Sequence, residues 1–268
     1  MRIKLLVVLL LAGFSVLAQD VKRVISLAPS ITENIYLVGG KDKLVGCTSY
    51  CTHAVSDGIE EIGSTVDVNV EKIFALKPDV VLTMKLTKPQ DIATLEKLGI
   101  RVEVLETPRT FDEICYQTLD IARMIGNEGQ AKKVVADAKS KVAEIQKKSK
   151  QLPPSKIFFQ IGANPIFTVL DKTFMNDFIL YCNGENIASG LEHGTMTRES
   201  ILLKNPDVII IAEMGGFGEQ EQKVWNAYDG MTAVKNDKVF LIASETSCSP
   251  TPANFVSALE DVYRFVSE

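Results

Sequence analysis

Two stretches of the chain share one order of apolar and polar positions. Residues 69–84 read NVEKIFALKPDVVLTM and residues 197–212 read TRESILLKNPDVIIIA. Glu71 pairs with Glu199, Ile73 with Ile201, Pro78 with Pro206, Asp79 with Asp207 and Val80 with Val208, each 128 positions apart. The pattern predicts a short capped helix, a stop and a buried strand. Asn69 and Thr197 are N-cap residues, and Glu71 and Glu199 lie in the first turn, where the helix dipole favours a carboxylate. The residue before proline leaves the helical region, so Lys-Pro-Asp and Asn-Pro-Asp end the helices. The β-branched runs that follow read as strands covered on both faces. Further apolar strands are predicted at Val102–Leu105 and Val239–Ala243. Strands alternating with helices imply parallel sheets with right-handed crossovers, and one unit per half implies two similar lobes.

Between the halves the period becomes helical. Thr110 and Glu113 form a capping box that opens a helix running to about Ile125, and Gly126-Asn127 interrupts it. From Glu128 to about Lys150, Val134, Val135, Ala138, Val142 and Ile145 make one narrow apolar stripe with lysines on the other faces. Pro153-Pro154 ends it. Some 22 residues at about 1.5 Å each make a rod about 33 Å long. An ordinary surface helix would show the same stripe; its place between two α/β halves favours a strut that bridges them.

The N-terminus changes the picture of where the chain works. Arg2 and Lys4 precede an apolar run from Leu5 to Leu17, and Val16 and Ala18 suit a cleavage site before Gln19. This reads as a secretory leader over residues 1–18. The run is short for a membrane span, which needs about 20 residues, and no cysteine follows it to carry a lipid. Loss of Arg2 and Lys4 takes the formal charge from −5 to −7. An acidic chain without a basic stripe argues against nucleic acid or an anionic membrane as partner.

Five cysteines, Cys47, Cys51, Cys115, Cys182 and Cys248, read as small buried thiols or one disulfide, with at least one left over. With only His53 and His193 to join them, no structural zinc site and no other metal site is expected. Gly215-Gly216-Phe217-Gly218 lacks the Lys-Ser/Thr ending of a phosphate loop and is expected as a mobile loop beside a cleft.

The opening VISLAPSITENIYLVGG, with VGCTSYC over 45–51, STVDVNVEKIFALKPDVV over 64–81, FFQIGANPIFTV over 158–169 and LYCNGENIA over 180–188, resembles the substrate-binding proteins of ABC importers for metal chelates. Within them it is most similar to the cobalamin-binding (BtuF-type) family, and the resemblance covers essentially the whole mature chain. It implies an α/β fold of two Rossmann-like lobes with parallel sheets joined by a long backbone helix. The lobes are expected at 19–125 and 153–268, with the linking helix at 126–152. It implies a monomer that captures cobalamin or a related corrinoid in the periplasm and delivers it to a membrane permease dimer. It implies no cofactor of the protein's own beyond that ligand. Haem or a ferric siderophore is the alternative ligand.

Candidate site residues follow from the resemblance and from position. Glu71 and Glu199 match glutamates that, in the family, bind arginines of the permease; a plain helix N-terminal charge is the other reading. Tyr50 lies in the loop after the second predicted strand, where strand ends face a cleft, and matches a ligand-packing tyrosine; a half-buried surface ring is the other reading. Phe167 occupies the matching loop of the second lobe and reads equally as a core aromatic. Glu245, Thr246 and Ser247 occupy the family's ligand-wrapping loop, predicted here over Ser244–Pro250, but Thr246 and Ser247 replace aromatic residues. Val66 and His193 stand where the family has tryptophan. The pocket has therefore lost stacking surface. His193 is either a surface loop residue or, with Tyr50, a metal-chelate ligand across the cleft.

No catalytic residue is expected. Gly-x-Ser-x-Gly and His-Glu-x-x-His are absent, and a secreted hydrolase using Cys51 with His53 is the competing class. The helical strut is expected to allow little lobe movement.

Overall fold

A computed structural model describes residues 21–213 and 215–268. The leader expected over 1–18 lies outside the described residues. The first lobe runs β1 (Val24–Ser26), α1 (Pro29–Leu37), β2 (Leu44–Cys47), α2 (Thr52–Ser56), β3 (Glu60–Glu61), α3 (Val70–Ala75), β4 (Val80–Met84), α4 (Pro89–Lys97) and β5 (Val102–Leu105). Its sheet is ordered β3-β2-β1-β4-β5 and every pair is parallel. The order reverses between β1 and β4, which is where sheets of this type bind ligands at their carboxyl ends.

The second lobe runs β6 (Ser155–Gly162), β7 (Phe167–Thr168), α7 (Phe174–Tyr181), β8 (Gly184–Asn186), α8 (Arg198–Lys204), β9 (Val208–Ala212), α9 (Gly218–Asn226), α10 (Thr232–Lys235), β10 (Val239–Ile242), α11 (Ser244–Ser247) and α12 (Pro252–Ser267). Strands β10, β9 and β6 are parallel, and β8 runs parallel along the start of β6. The expected parallel sheet has one exception: β7 folds back antiparallel on the end of β6, so its ladder takes the place that a crossover strand would fill.

The repeat is the framework of both lobes. Strands β4 and β9 are buried throughout, and their side chains alternate between two apolar layers. Asn69 accepts from the Lys72 N–H at 2.9 Å and Thr197 from the Ser200 N–H at 3.2 Å, so both predicted caps form. The repeated aspartates fasten the first strand of each lobe. Asp79 accepts from the Lys22 and Arg23 N–H groups, and Asp207 from the Lys156 N–H, all at 2.8–2.9 Å.

Two helices bridge the lobes, where one was expected. Helix α6 (Glu128–Ser149) has 22 residues. Its Ala131 packs in the first lobe's core, and Val135, Ala138, Val142 and Ile145 pack in the second lobe's. Helix α5 (Phe111–Ile125), assigned from sequence to the first lobe, divides in the opposite sense. Phe111, Ile114 and Cys115 join the second lobe's core; Ile121, Ala122 and Ile125 join the first. The apolar stripe of α5 is long enough to serve two cores, and periodicity alone does not say which core each residue meets. The expected capping box forms, with Thr110 accepting from the Glu113 N–H at 3.2 Å. Gly126, at φ +75°, stops the helix.

Candidate functional site

Tyr50, Val66, His193 and Glu245 lie in segments that follow the carboxyl ends of β2, β3, β8 and β10, whereas Phe167, expected in a loop, opens β7; backbone bonds bring such segments together within each lobe. In the first lobe the Ser49 N–H donates to the Gly63 carbonyl at 2.8 Å, which sets the Tyr50 loop against the Val66 loop. Gly63 sits at φ +103°, and a Cβ there would stand 2.5 Å from the Asp67 carbonyl, so only glycine fits this turn. The Val66 loop is tied in turn to the loop after β4. Thr87 Oγ1 donates to the Thr65 carbonyl at 2.9 Å and lies 2.6 Å from Thr83 Oγ1. Three apolar side chains project from these loops. Tyr50 is 68% exposed, Val66 53% and Leu86 69%.

The second lobe repeats this construction. The Thr168 N–H donates to the Gly194 carbonyl at 2.8 Å, which sets His193 beside Phe167. A Cβ on Gly162 would press on the Phe167 ring at 3.0 Å, so the bare glycine lets the ring lie over the end of β6. Phe167 is 42% exposed and His193 is exposed.

The segment after β10 departs from expectation. Residues 244–247 form a helical turn, α11, rather than an open loop. Glu245 is exposed, and Thr246, half-buried, donates to the Ala243 carbonyl. Ser247 is fully buried and its hydroxyl also donates to Ala243, at 2.8 Å. It therefore presents no surface to a ligand in this conformation, a correction to its expected role. Its small hydroxyl closes the turn against its own backbone, a common local use of serine. The Gly215–Gly218 segment is a left-handed glycine turn that leads directly into α9.

Beyond the bridging helices, the lobes meet at the second turn of α1. Glu33 on that helix accepts from Ser249 Oγ at 2.5 Å and from Asn254 Nδ2 at 2.8 Å. Asn34 donates to the Pro250 carbonyl at 3.4 Å and accepts from Thr118 of α5 at 2.6 Å. Burial pushes the Glu33 carboxyl above its usual range; the two hydrogen bonds and the nearby His53 oppose the shift. A pocket of about 400 Å³ lies against this contact, with Glu33, Tyr36, Tyr50, Cys51, His53 and Asn254 among its walls. No signal in the sequence marks Glu33, because its partners are more than 200 positions away.

All five cysteines are free thiols; four are buried and Cys248 is half-buried. Cys51 sits 3.1 Å from Thr32 Oγ1 and 3.3 Å from Thr48 Oγ1. A hydrogen bond from Cys47, helped by the two threonines, lowers the Cys51 thiol to about 6, while the same contact and burial raise Cys47. The His53 ring lies against Tyr36, 5.1 Å between centroids. Among the described residues Cys51 has no hydrogen bond to an imidazole, so the nucleophile–base pair of a cysteine hydrolase is not assembled here. No cluster of three metal-ligating side chains occurs among the described residues.

Glu71 and Glu199 are exposed on α3 and α8 at matching positions. Neither has an ion-pair partner among the described residues. An exposed apolar side chain stands near each along its helix, Phe74 beside Glu71 and Leu203, 87% exposed, beside Glu199.

A family model described as periplasmic binding protein matches residues 24–246. The chain belongs to that family.

This periplasmic binding protein is similar to a vitamin B12-binding protein of Yersinia pseudotuberculosis. The two are 32% identical over 210 residues, 77% of this chain and 75% of the relative. It is 27% identical over 249 residues to a vitamin B12-binding protein of Vibrio cholerae serotype O1, covering 91% of this chain and 89% of the relative. The crystal structure of the periplasmic vitamin B12 binding protein BtuF of Vibrio cholerae superposes with a TM-score of 0.79 at 27% identity, over 92% of this chain and 97% of that one. The periplasmic heme-binding protein BhuT, in complex with two hemes, shares the fold at a TM-score of 0.78 and 18% identity, over 92% of this chain and 98% of that one.

Proposed function

We propose that this periplasmic binding protein captures a corrinoid between its lobes and hands it to the two-fold permease of an ABC importer. The observation that carries the reading is the pair of exposed aromatic rings, Tyr50 and Phe167, at strand ends of two repeat-related lobes. Exposed aromatics are costly to leave in water and suit the face of a macrocycle. The relatives named for vitamin B12 binding supply the ligand class.

Tyr50, Val66 and Leu86 form one wall, and Phe167 and His193 the other, with Glu245 and Thr246 at the edge. Ser247 acts behind that edge, by holding the turn. The small side chains at Val66 and Thr246 leave room that bulkier rings would fill, so incomplete corrinoids bind as well as cobalamin does. Glu71 and Glu199 dock on cationic side chains of the two permease subunits, one lobe to each. The protein works as an exported, lipid-free monomer, carries no cofactor of its own and catalyses nothing.

His193 supports a second reading. An exposed imidazole on the second lobe, together with an exposed tyrosine on the first, suits haem iron. Visible spectra separate the two readings: a Soret shift that is lost in His193→Ala or Tyr50→Ala assigns the site to haem. Docking is tested by uptake into spheroplasts of the source bacterium. Glu71→Arg with Glu199→Arg is expected to keep ligand affinity and abolish uptake; uptake that persists removes the docking role.

A further inference from the structure

The ligand-facing loops of the first lobe are held by bonds within that lobe, as described above. The segment after β10 is held differently. Within its own lobe its polar ties are short-range turn bonds, one bond from Ser244 Oγ to the Glu213 carbonyl at 3.0 Å and the 3.4 Å contacts of the Asn254 amide of α12. Its far end is bonded to the other lobe. Glu33 receives both the Ser249 hydroxyl and the Asn254 amide on one carboxylate oxygen. The same Asn254 amide lies 3.4 Å from the carbonyls of Glu245 and Ser249, so it touches both ends of the turn. Asn34, one residue on, holds the Pro250 carbonyl and is itself fixed by Thr118. Hydrogen bonds to an ionised acceptor are about twice as strong as neutral ones. No other cross-lobe contact of this segment involves a charged group among the described residues.

We propose that Glu33 is a positioning residue for the ligand cleft: it ties the Glu245–Ser249 turn of the second lobe to helix α1 of the first. The turn then takes its place in the cleft only while the lobes keep their spacing. Any motion that separates α1 from α12 withdraws Glu245 and Thr246 from the ligand. The inference rests on the cleft-binding reading for its consequence, and on the structure alone for the tie.

The test uses hydrogen exchange, read by mass spectrometry on the ligand-free protein, with dissociation of cyanocobalamin as the second readout. Glu33→Ala is expected to raise exchange over residues 244–251 about ten-fold or more, the scale set by losing two bonds to a charged acceptor. Exchange over residues 44–51 stays as in the wild type. Glu33→Gln keeps a carbonyl acceptor and restores most of the protection. Cyanocobalamin leaves Glu33→Ala faster, by about the same factor. Unchanged exchange over 244–251, an equal rise in both segments, or an unchanged dissociation rate would overturn the proposal. Should Glu33→Ala fail to fold, Ser249→Ala combined with Asn254→Ala removes the same two bonds from the other lobe and carries the same expectations. A wild type that binds no cyanocobalamin sinks the corrinoid reading instead, and the exchange comparison then decides the tie by itself.

Discussion

The two lobes share a helix–turn–strand unit and differ in what lies beneath it. Under α3 the first lobe is apolar: Ile25, Leu27, Ile62, Ile73, Val81 and Leu95 are fully buried together. Under α8 the second lobe buries a polar network beside its apolar residues. Glu221 accepts from Arg198 at 2.9 Å and from Gln160 at 2.8 Å; Gln160 accepts from the Trp225 indole at 2.7 Å and donates to the Gly162 carbonyl. The Arg198 guanidinium lies over the Trp225 ring at 4.2 Å. Hydrophobic contacts are non-directional and tolerate small shifts, whereas a charged network specifies one geometry and penalises any missing member. In the second lobe this network runs from helix α8 to the end of β6, against which Phe167 of β7 lies. In the first lobe the equivalent ordering is left to the buried hydroxyls of Thr83 and Thr87, the latter donating to the Thr65 carbonyl.

The sharpest way to break this comparison is to remove Glu221. Glu221→Ala leaves the half-buried Arg198 without its counter-charge and is expected to lower stability by about 2–4 kcal/mol in chemical denaturation. Replacing both residues by leucine is expected to recover much of that loss, because the penalty lies in the unpaired charge. Equal destabilisation by the single and double variants would deny the network its role. Next come the two exposed rings. Tyr50→Ala and Phe167→Ala are each expected to weaken corrinoid binding about ten- to hundred-fold, with stability changed by less than about 0.5 kcal/mol. A ring whose removal changes stability more than affinity belongs to the core. In the first lobe Ile73→Val is expected to cost about 0.5–1.5 kcal/mol, the ordinary loss of one buried methylene group. Thr87→Val removes the hydroxyl link at a cost of about 1 kcal/mol. The smallest effect falls on Glu71→Ala, expected to change stability by no more than about 0.5–1 kcal/mol through the lost helix-dipole charge.

Much of the architecture was legible because the repeat writes it twice. Two caps, two proline stops and two β-branched runs point to the same unit at one spacing, and α3–β4 and α8–β9 follow it. The strut α6 was readable from a single stripe of Val, Ala and Ile. What periodicity could not supply was the partner of each face: the stripe of α5 looks the same whether it meets one core or two. The antiparallel return at β7 was hidden because two residues are too few to show a period. In the site, strand-end position singles out Tyr50, and the family resemblance singles out Phe167 and His193, but the orientation of Ser247 depends on a turn whose residues also suit an open loop. Leu86 stands two residues past the repeat strand, but an isolated leucine carries no motif. Glu33 and Glu221 were beyond reach. Glu33 is the one carboxylate of α1 and Glu221 one of two on α9, and the meaning of each comes from residues brought beside it by the fold.

The central claim is that these two lobes close a corrinoid site. Calorimetric titration of the mature protein with cyanocobalamin, run beside cobinamide and haemin, tests it most directly. Saturable binding of one corrinoid per chain, weakened in Tyr50→Ala and in Phe167→Ala, is the predicted result. Absence of saturable binding for both cyanocobalamin and cobinamide, with haemin bound and lost in His193→Ala, would contradict it.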